Sequence, residues 1–516
     1  MQFRRLFGKR KPVGELFGYP ASPMPREQKE ASASALCLLV LQALVSFIVF
    51  DLQTIQGHVY VIAIEAIIQY VIYVSVISNV GGKPLISGRK ASTVIFLANL
   101  IALTYKLLFA SSLVAAQYIT DFTRIIPFAL GPLYSLSPVA DGQSDAIANA
   151  LYQCGICLSK SEIPLNEPGI AYAFIGISYL AGEFNQHILW LTLHAFNFVT
   201  ATILLKITAE FFPTIRFPLM VPALYILLPE IQGASLTLFK DGLIAFSLVS
   251  LFYLNLRRAT SKTGASAFTA TSVVLLIFLY SLRSGMLAAI VCLTVLNCIL
   301  DYKSWRQHVL ILVATLLLIS ISANIFGFSN PPQIAVTRTT DNATNKAAKN
   351  LDVENLTYTT TKEGSIFHKL KLHEVSASNF FYAPFVKGAL YFLLPLPVNG
   401  YVNTMDLFHK ISTLIYATLF TLLLIGLYTI AENGIREERY LLLVSAMLVA
   451  MLLGAGPLLL PRYRIMVAAF FLLIAAIGCS RISRHALVVN IGCSAGVVAG
   501  LVIWYDALYS ALQSII

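Results

Sequence analysis

Long apolar runs separated by short polar segments recur along most of the sequence. A helix that crosses a membrane needs about 20 apolar residues, and in lipid only helices and closed barrels satisfy their own backbone groups. The apolar runs are continuous rather than alternating, which indicates helices. The pattern predicts thirteen membrane spans: 31–50, 58–78, 93–116, 187–207, 214–230, 238–256, 266–282, 285–300, 308–326, 411–431, 440–458, 464–479 and 486–504.

Composition and charge agree with a membrane protein. Of 516 residues, 57% are hydrophobic and only 12% are charged. The hydrophobic share is above, and the charged share below, that of ordinary soluble domains. The net charge of +11 does not indicate a nucleic-acid partner, because the basic residues cluster in short loops. Cytoplasmic loops carry such an excess of Lys and Arg. The amino terminus is therefore predicted to be cytoplasmic.

The expected fold is an all-α, polytopic helix bundle. The stretch 379–398 contains Pro384, Pro395 and Pro397, which leave too short an apolar run for a full span, so a re-entrant or interfacial segment is expected there. The predicted organisation is a cytoplasmic basic segment (1–30), three accessory spans (31–116), an extracytoplasmic loop (117–186), a membrane core (187–326), an extracytoplasmic loop with the re-entrant segment (327–410) and carboxy-terminal spans (411–504).

Several charged positions fall on the predicted extracytoplasmic side. Asp141 and Asp145 lie in the first long loop, and Lys240–Asp241 opens a span just after a proline-broken helix end. Arg283 ends one outgoing span, and Arg462–Tyr463–Arg464 follows another. Singly, each arginine fits an interfacial anchor and the Lys–Asp pair fits a helix cap. Together they indicate a site for a lipid phosphate, because arginine is disfavoured outside and binds phosphate through two hydrogen bonds.

Other polar residues favour structural roles. Glu65 and Lys106 lie at similar depths in spans two and three and are expected to form an internal ion pair, with a proton or ion pathway as the alternative. His187 and His194 share one face of the next span, where packing or hydrogen bonding is expected rather than metal ligation. The CxxC at Cys154–Cys157 fits either a disulfide or two free thiols.

The order of these motifs resembles the GT-C superfamily of membrane glycosyltransferases over roughly residues 135–480. The matching features are Asp145 in an external loop, the helix entrance at Lys240–Asp241, the Leu394–Pro397 stretch and the arginines of 462–464. The resemblance implies bacterial relatives of dolichyl-phosphate-mannose-type enzymes, which act in exopolysaccharide and O-antigen assembly. Such an enzyme transfers a sugar or glycan from a polyprenyl-phosphate or polyprenyl-diphosphate donor to a glycan acceptor, on the extracytoplasmic face of the bacterial cytoplasmic (inner) membrane.

The resemblance also implies roles for the candidate residues. Asp145 would be the general base, with Asp141 as the second candidate, while Asp241 would hold Lys240 or bind acceptor hydroxyls. The leaving phosphate and the sugar would be bound by Lys240, Arg283, Arg462, Tyr463 and Arg464. No cofactor or metal site is predicted, and a requirement for a divalent metal ion stays open.

Two other functions remain open at this point. An oligosaccharide-repeat polymerase or ligase acts on similar lipid-linked substrates on the same face. A transporter or flippase predicts charges near the bilayer midplane, interrupted helices and repeated halves, and only Glu65 and Lys106 fit that pattern.

Overall fold

The computed structural model is a bundle of packed helices. It describes isolated positions 36, 40, 67, 69–71, 73 and 177, together with residues 88–115, 186–236, 240–259, 264–283, 286–300, 305–326, 358–359, 404–433, 458–459 and 461–504.

Within these residues the structure is almost entirely helical, which confirms the all-α expectation for that part of the chain. One two-residue strand pair is present, in which β1 (Tyr358–Thr359) runs antiparallel to β2 (Leu458–Leu459). The helices are α1 (Gly88–Ala115), α2 (Gln186–Phe211), α3 (Met220–Leu227), α4 (Pro229–Leu236), α5 (Asp241–Ala259), α6 (Ala265–Leu282), α7 (Met286–Leu300), α8 (Trp305–Phe326), α9 (Thr404–Asn433), a 3₁₀ helix (Pro461–Met466), α10 (Ala468–Arg481) and α11 (Arg484–Ile503).

Three of the described helices are long and apolar enough to cross a membrane. The qualifying segments are Leu189–Phe211 in α2, Ala265–Leu282 in α6 and Leu407–Glu432 in α9. Large apolar side chains such as Val274 and Leu317 are more than half exposed, which suits contact with lipid. The chain is therefore a membrane protein, and the total of thirteen spans stays a prediction.

Helix α10 lies at the centre of the bundle, where every residue from Ala468 to Cys479 is buried. It packs closely along α9 because two glycines bring the backbones together. A Cβ on Gly426 would lie 2.1 Å from the carbonyl oxygen of Ile474, and one on Gly478 would lie 2.0 Å from that of Leu422. Small residues allow such close approach of membrane helices.

The predicted span 214–230 is wrong as a single helix. Helix α3 ends at Leu227, Leu228 is extended (φ −62°, ψ 117°), and α4 starts at Pro229. Proline disfavours helical geometry in the preceding residue and is well suited to the first position of a new helix. Eight residues of α3 span only about 12 Å, less than half the thickness of the hydrocarbon core.

Neighbouring side chains satisfy the backbone groups around this break. The Tyr105 hydroxyl donates to the Leu227 carbonyl at 3.4 Å, and the side-chain amide of Gln232 donates to the Ile226 carbonyl. The Glu230 N–H donates to the Ser412 hydroxyl at 3.1 Å. An interrupted helix is tolerated at membrane depth when protein groups replace the missing hydrogen bonds in this way.

Candidate functional site

Three positions that lie far apart in the sequence meet at one end of helices α5 and α6. Asp241 begins α5, and both it and Lys240 are buried. Arg283 follows the last residue of α6, and its Nη1 lies 3.9 Å from Oδ1 of Asp241. The same Nη1 contacts the Met466 sulfur at 3.8 Å. The structure therefore brings the predicted Lys–Asp pair, Arg283 and the 3₁₀ helix together.

The 3₁₀ helix contains the predicted arginine motif. Pro461–Met466 packs against α4 and α5 and leads directly into the buried α10. The side chains of Arg462 and Tyr463 lie outside the described residues, as do Asp141 and Asp145. The predicted roles of these four residues consequently stay predictions.

Arg464 lies inside the bundle with its side chain fully buried. Its Nε donates to Oε2 of Glu230, its Nη1 donates to the Thr413 hydroxyl at 2.7 Å, and its Nη2 donates to the His409 carbonyl. These contacts join α4, α9 and the 3₁₀ helix. The position suits a residue that anchors the 3₁₀ helix better than one that meets a substrate phosphate.

Glu230 is the acidic centre of this network. Besides Arg464, it accepts a hydrogen bond from the Tyr416 hydroxyl at 2.6 Å on Oε1, and His409 Nδ1 lies 3.3 Å from Oε2. His409 must carry its hydrogen on Nδ1 to donate there. These donors favour the ionised carboxylate and offset the cost of burying it.

Sequence reasoning missed the role of Glu230 and treated it only as part of a helix end. An acidic residue directly after a proline within an apolar run was the available signal, because intramembrane charges and broken helices mark functional positions. His409 and Tyr416 carry no such signal. They become partners of Glu230 only through the packing of α9 against α4.

A second polar cluster joins α1, α2 and α4. Lys106 is fully buried, with its Nζ 2.9 Å from Nδ1 of His194 and 5.8 Å from the ring centroid of Trp190. The Gln232 Oε1 lies 3.2 Å from the same Nδ1. His194 is thus a hydrogen-bonding residue. Glu65 lies outside the described residues, so its pairing with Lys106 stays a prediction.

Two buried polar atoms of α2 have no hydrogen-bond partner, namely Nε2 of His194 and Oδ1 of Asn197. The Asn197 amide nitrogen donates weakly to the Ile231 carbonyl at 3.4 Å, which fixes the direction of its oxygen. A Cβ on Gly242 would lie 3.1 Å from this oxygen. An unused acceptor therefore lies against the first turn of α5, beside Asp241.

Comparisons with known proteins identified no relative of this chain. No protein-family model matches the chain, and searches of curated proteins and of solved structures gave no match. Membership of the GT-C superfamily stays a prediction from the sequence motifs. Within the described part of the chain, no group of three His, Cys, Asp or Glu side chains is placed to hold a metal ion.

Proposed function

We propose that the protein is a membrane glycosyltransferase that uses a polyprenyl-phosphate- or polyprenyl-diphosphate-linked donor on the extracytoplasmic face. The observation that supports this function is the convergence of Asp241, Arg283 and the 3₁₀ helix at one end of the bundle. The resemblance predicts these positions as substrate-binding, although 42 residues separate the first two and almost 180 separate Arg283 from the 3₁₀ helix.

In the proposed reaction an acceptor hydroxyl attacks the anomeric carbon of the donor. A new C–O bond forms, the bond to the lipid phosphate breaks, and the electron pair leaves with the phosphate. Asp145, or Asp141, accepts the hydroxyl proton. The negative charge on the leaving phosphate grows in the transition state, so fixed cations stabilise that state more than the substrate.

The described contacts suit this chemistry. Asp241 lies within ion-pair distance of Arg283 and orients its guanidinium before substrate binds. Arg464 holds the 3₁₀ helix through Glu230, and the backbone of this helix, which contains Arg462 and Tyr463, packs against α5. The buried oxygen of Asn197 lies against Gly242 and so supports the turn of α5 that begins with Asp241.

An oligosaccharide-repeat polymerase or ligase is a variant of the same proposal. It would use the same leaving-group chemistry and the same cations, and it would differ in the size of the transferred glycan.

A transporter or flippase is the second candidate function. The break between α3 and α4, with Glu230 in the first turn after it, resembles the discontinuous helices around transporter sites. Lys106 and Arg464 are also fully buried. Transport predicts that these buried charges change partners during a cycle, whereas the transferase proposal gives Glu230 and Arg464 a fixed structural role.

The first test replaces Arg283 by alanine in cells that otherwise lack the protein. Loss of one cation at the leaving phosphate is expected to lower glycan transfer by about 100-fold. The measurement is the profile of polyprenyl-linked oligosaccharides and surface glycan. Arg306→Ala is the matched control, because Arg306 stacks on Trp305 at the opposite end of the bundle, and it is expected to leave the profile unchanged.

The intermediate that accumulates distinguishes the candidates. A truncated glycan with its lipid-linked precursor on the extracytoplasmic leaflet supports single-sugar transfer, and single repeats without long chains support a polymerase. Accumulation on the cytoplasmic leaflet supports a flippase. An unchanged profile for a well-expressed Arg283→Ala protein excludes a role for this site in glycan assembly.

Gly242→Ala tests the packing of Asn197 against the start of α5, beside Asp241. The added methyl group meets the Asn197 oxygen at 3.1 Å, so either the asparagine or the start of α5 must move by a few tenths of an ångström. We expect glycan transfer to fall several-fold while the folded fraction stays near that of the wild type, because alanine favours the helix by about 1 kcal/mol. Gly492→Ala, with open space around it, is the control. Equal activity of the two variants would exclude Asn197 from the site.

A further inference from the structure

A separate cavity lies among helices α5, α6, α7 and α8. Its volume is about 40 Å³, and one water molecule needs about 10–15 Å³ on this measure, so it has room for about three. Most of its wall is apolar. The polar groups that line it are Asn255, Ser272, Thr294, Asn297 and His308, at least one from each helix.

This cavity is distant from the proposed transferase site. Asn255 lies fourteen residues after Asp241 on α5, which is about 21 Å along the helix. Ser272 lies eleven residues before Arg283, or about 16 Å. The cavity is therefore near the opposite end of the bundle, where Arg257–Arg258 forms the last turn of α5.

The lining has hydrogen-bonding capacity that the protein does not use. Ser272 is 3% exposed, and its hydroxyl has no hydrogen-bond partner. Asn255 donates one amide hydrogen to the Leu251 carbonyl at 2.8 Å, which leaves its oxygen as an acceptor. The Thr294 hydroxyl donates to the Ile290 carbonyl at 2.9 Å, and its oxygen can still accept.

The chemistry of the lining limits the ligand class. The lining residues include no Lys, Arg, Asp or Glu, and an ionised group without an opposite charge is costly to bury. Hydroxyl groups both donate and accept hydrogen bonds. A ligand with several hydroxyls can therefore bond to the Ser272 hydroxyl and donate to the asparagine oxygens at the same time. The apolar wall, which includes Phe268 stacked edge-on against His308, suits the carbon skeleton between such hydroxyls.

We propose that this cavity binds a neutral hydroxyl-rich group the size of glycerol. Two sources carry this chemistry: free glycerol or a similar polyol, and the glycerol headgroup of phosphatidylglycerol. Arg257–Arg258 lies within one turn of Asn255 on α5, so a headgroup would place its phosphate near positive charge. The inference is independent of the transferase proposal, because it involves other residues at another end of the bundle.

Native mass spectrometry of the full-length protein tests the headgroup source. The purified protein is mixed with equal amounts of phosphatidylglycerol and phosphatidylethanolamine. Phosphatidylglycerol is expected to be retained about tenfold more strongly, and Ser272→Val is expected to remove most of that preference. Ser281→Val is the matched control on the same helix, since the Ser281 hydroxyl bonds to the Phe278 carbonyl and does not line the cavity.

Ligand-observed NMR with free glycerol tests the other source. A polyol site is identified if saturation is transferred to glycerol, if Ser272→Val abolishes that transfer, and if the mass spectra show no preference for phosphatidylglycerol. The absence of both effects, or equal binding by the wild type and Ser272→Val, overturns the proposal and leaves only water in the cavity. If Ser272→Val does not fold, Asn297→Leu fills the cavity from a half-buried position and provides the same comparison.

Discussion

Replacing Glu230 by leucine is expected to destabilise the protein by about 3–5 kcal/mol, because it leaves the buried Arg464 guanidinium without its carboxylate. Both side chains are fully buried, and the same carboxylate also accepts from Tyr416. The measurement is unfolding of the purified protein in mild detergent. Glu432→Leu is the matched control, because Glu432 pairs with Arg481 at 2.7 Å with both side chains about half exposed. Loss of that exposed pair should cost less than about 1 kcal/mol.

A double variant separates folding from function. Glu230→Leu combined with Arg464→Met removes both charges and is expected to recover much of the lost stability, since apolar replacements of a buried ion pair are often tolerated. Glycan transfer should stay low, because the 3₁₀ helix has lost its anchor. If Glu230→Leu and Glu432→Leu unfold at the same temperature, Glu230 does not stabilise the bundle through Arg464.

Gly478→Ala is expected to have the second large effect, a loss of about 3 kcal/mol or more. The new Cβ would lie 2.0 Å from the Leu422 carbonyl oxygen, and because that atom is backbone, α9 and α10 must separate. Overpacking of this kind costs more than the roughly 1 kcal/mol that alanine gains as a helix former. The measurement is again the unfolding transition.

Gly496→Ala is the control for the packing of Gly478. Gly496 lies on α11 with no atom within 4 Å of an added Cβ, so its replacement should leave stability unchanged or slightly higher. Equal unfolding transitions for the two variants would contradict the close contact between α9 and α10.

The sequence predicts helices well where the apolar run is uninterrupted. The span predicted at 266–282 is observed as Ala265–Leu282. The proline-broken helix end at Pro229 is observed, but the sequence does not predict that a separate helix, α4, begins there, and it places the start of α9 too late. That helix begins at Thr404 rather than at 411, and His409 and Lys410 in its first two turns are buried instead of lying in a loop.

The candidate site was predictable only in part. The predicted topology puts Asp241, Arg283 and the 462–464 motif on one side of the membrane, and the structure brings Asp241, Arg283 and the 3₁₀ helix together at one end of α5 and α6. The Glu230 network was not predictable, since its bonds to His409 and Tyr416 join residues 179 and 186 positions apart. Such pairing depends on how helices pack against one another, and the local pattern of the sequence carries no signal for it.

The separation of Glu230 from Arg464 has a consequence for biogenesis. The two residues lie 234 positions apart, and a ribosome adds about 5–20 residues per second. The carboxylate is therefore synthesised roughly 10 to 50 s before its arginine, at that rate of synthesis. During this interval the nascent chain holds an acid whose arginine does not yet exist. A chain released before the 3₁₀ helix would contain Glu230 without Arg464, and its carboxylate would lack the charge that offsets the cost of burial in the bundle.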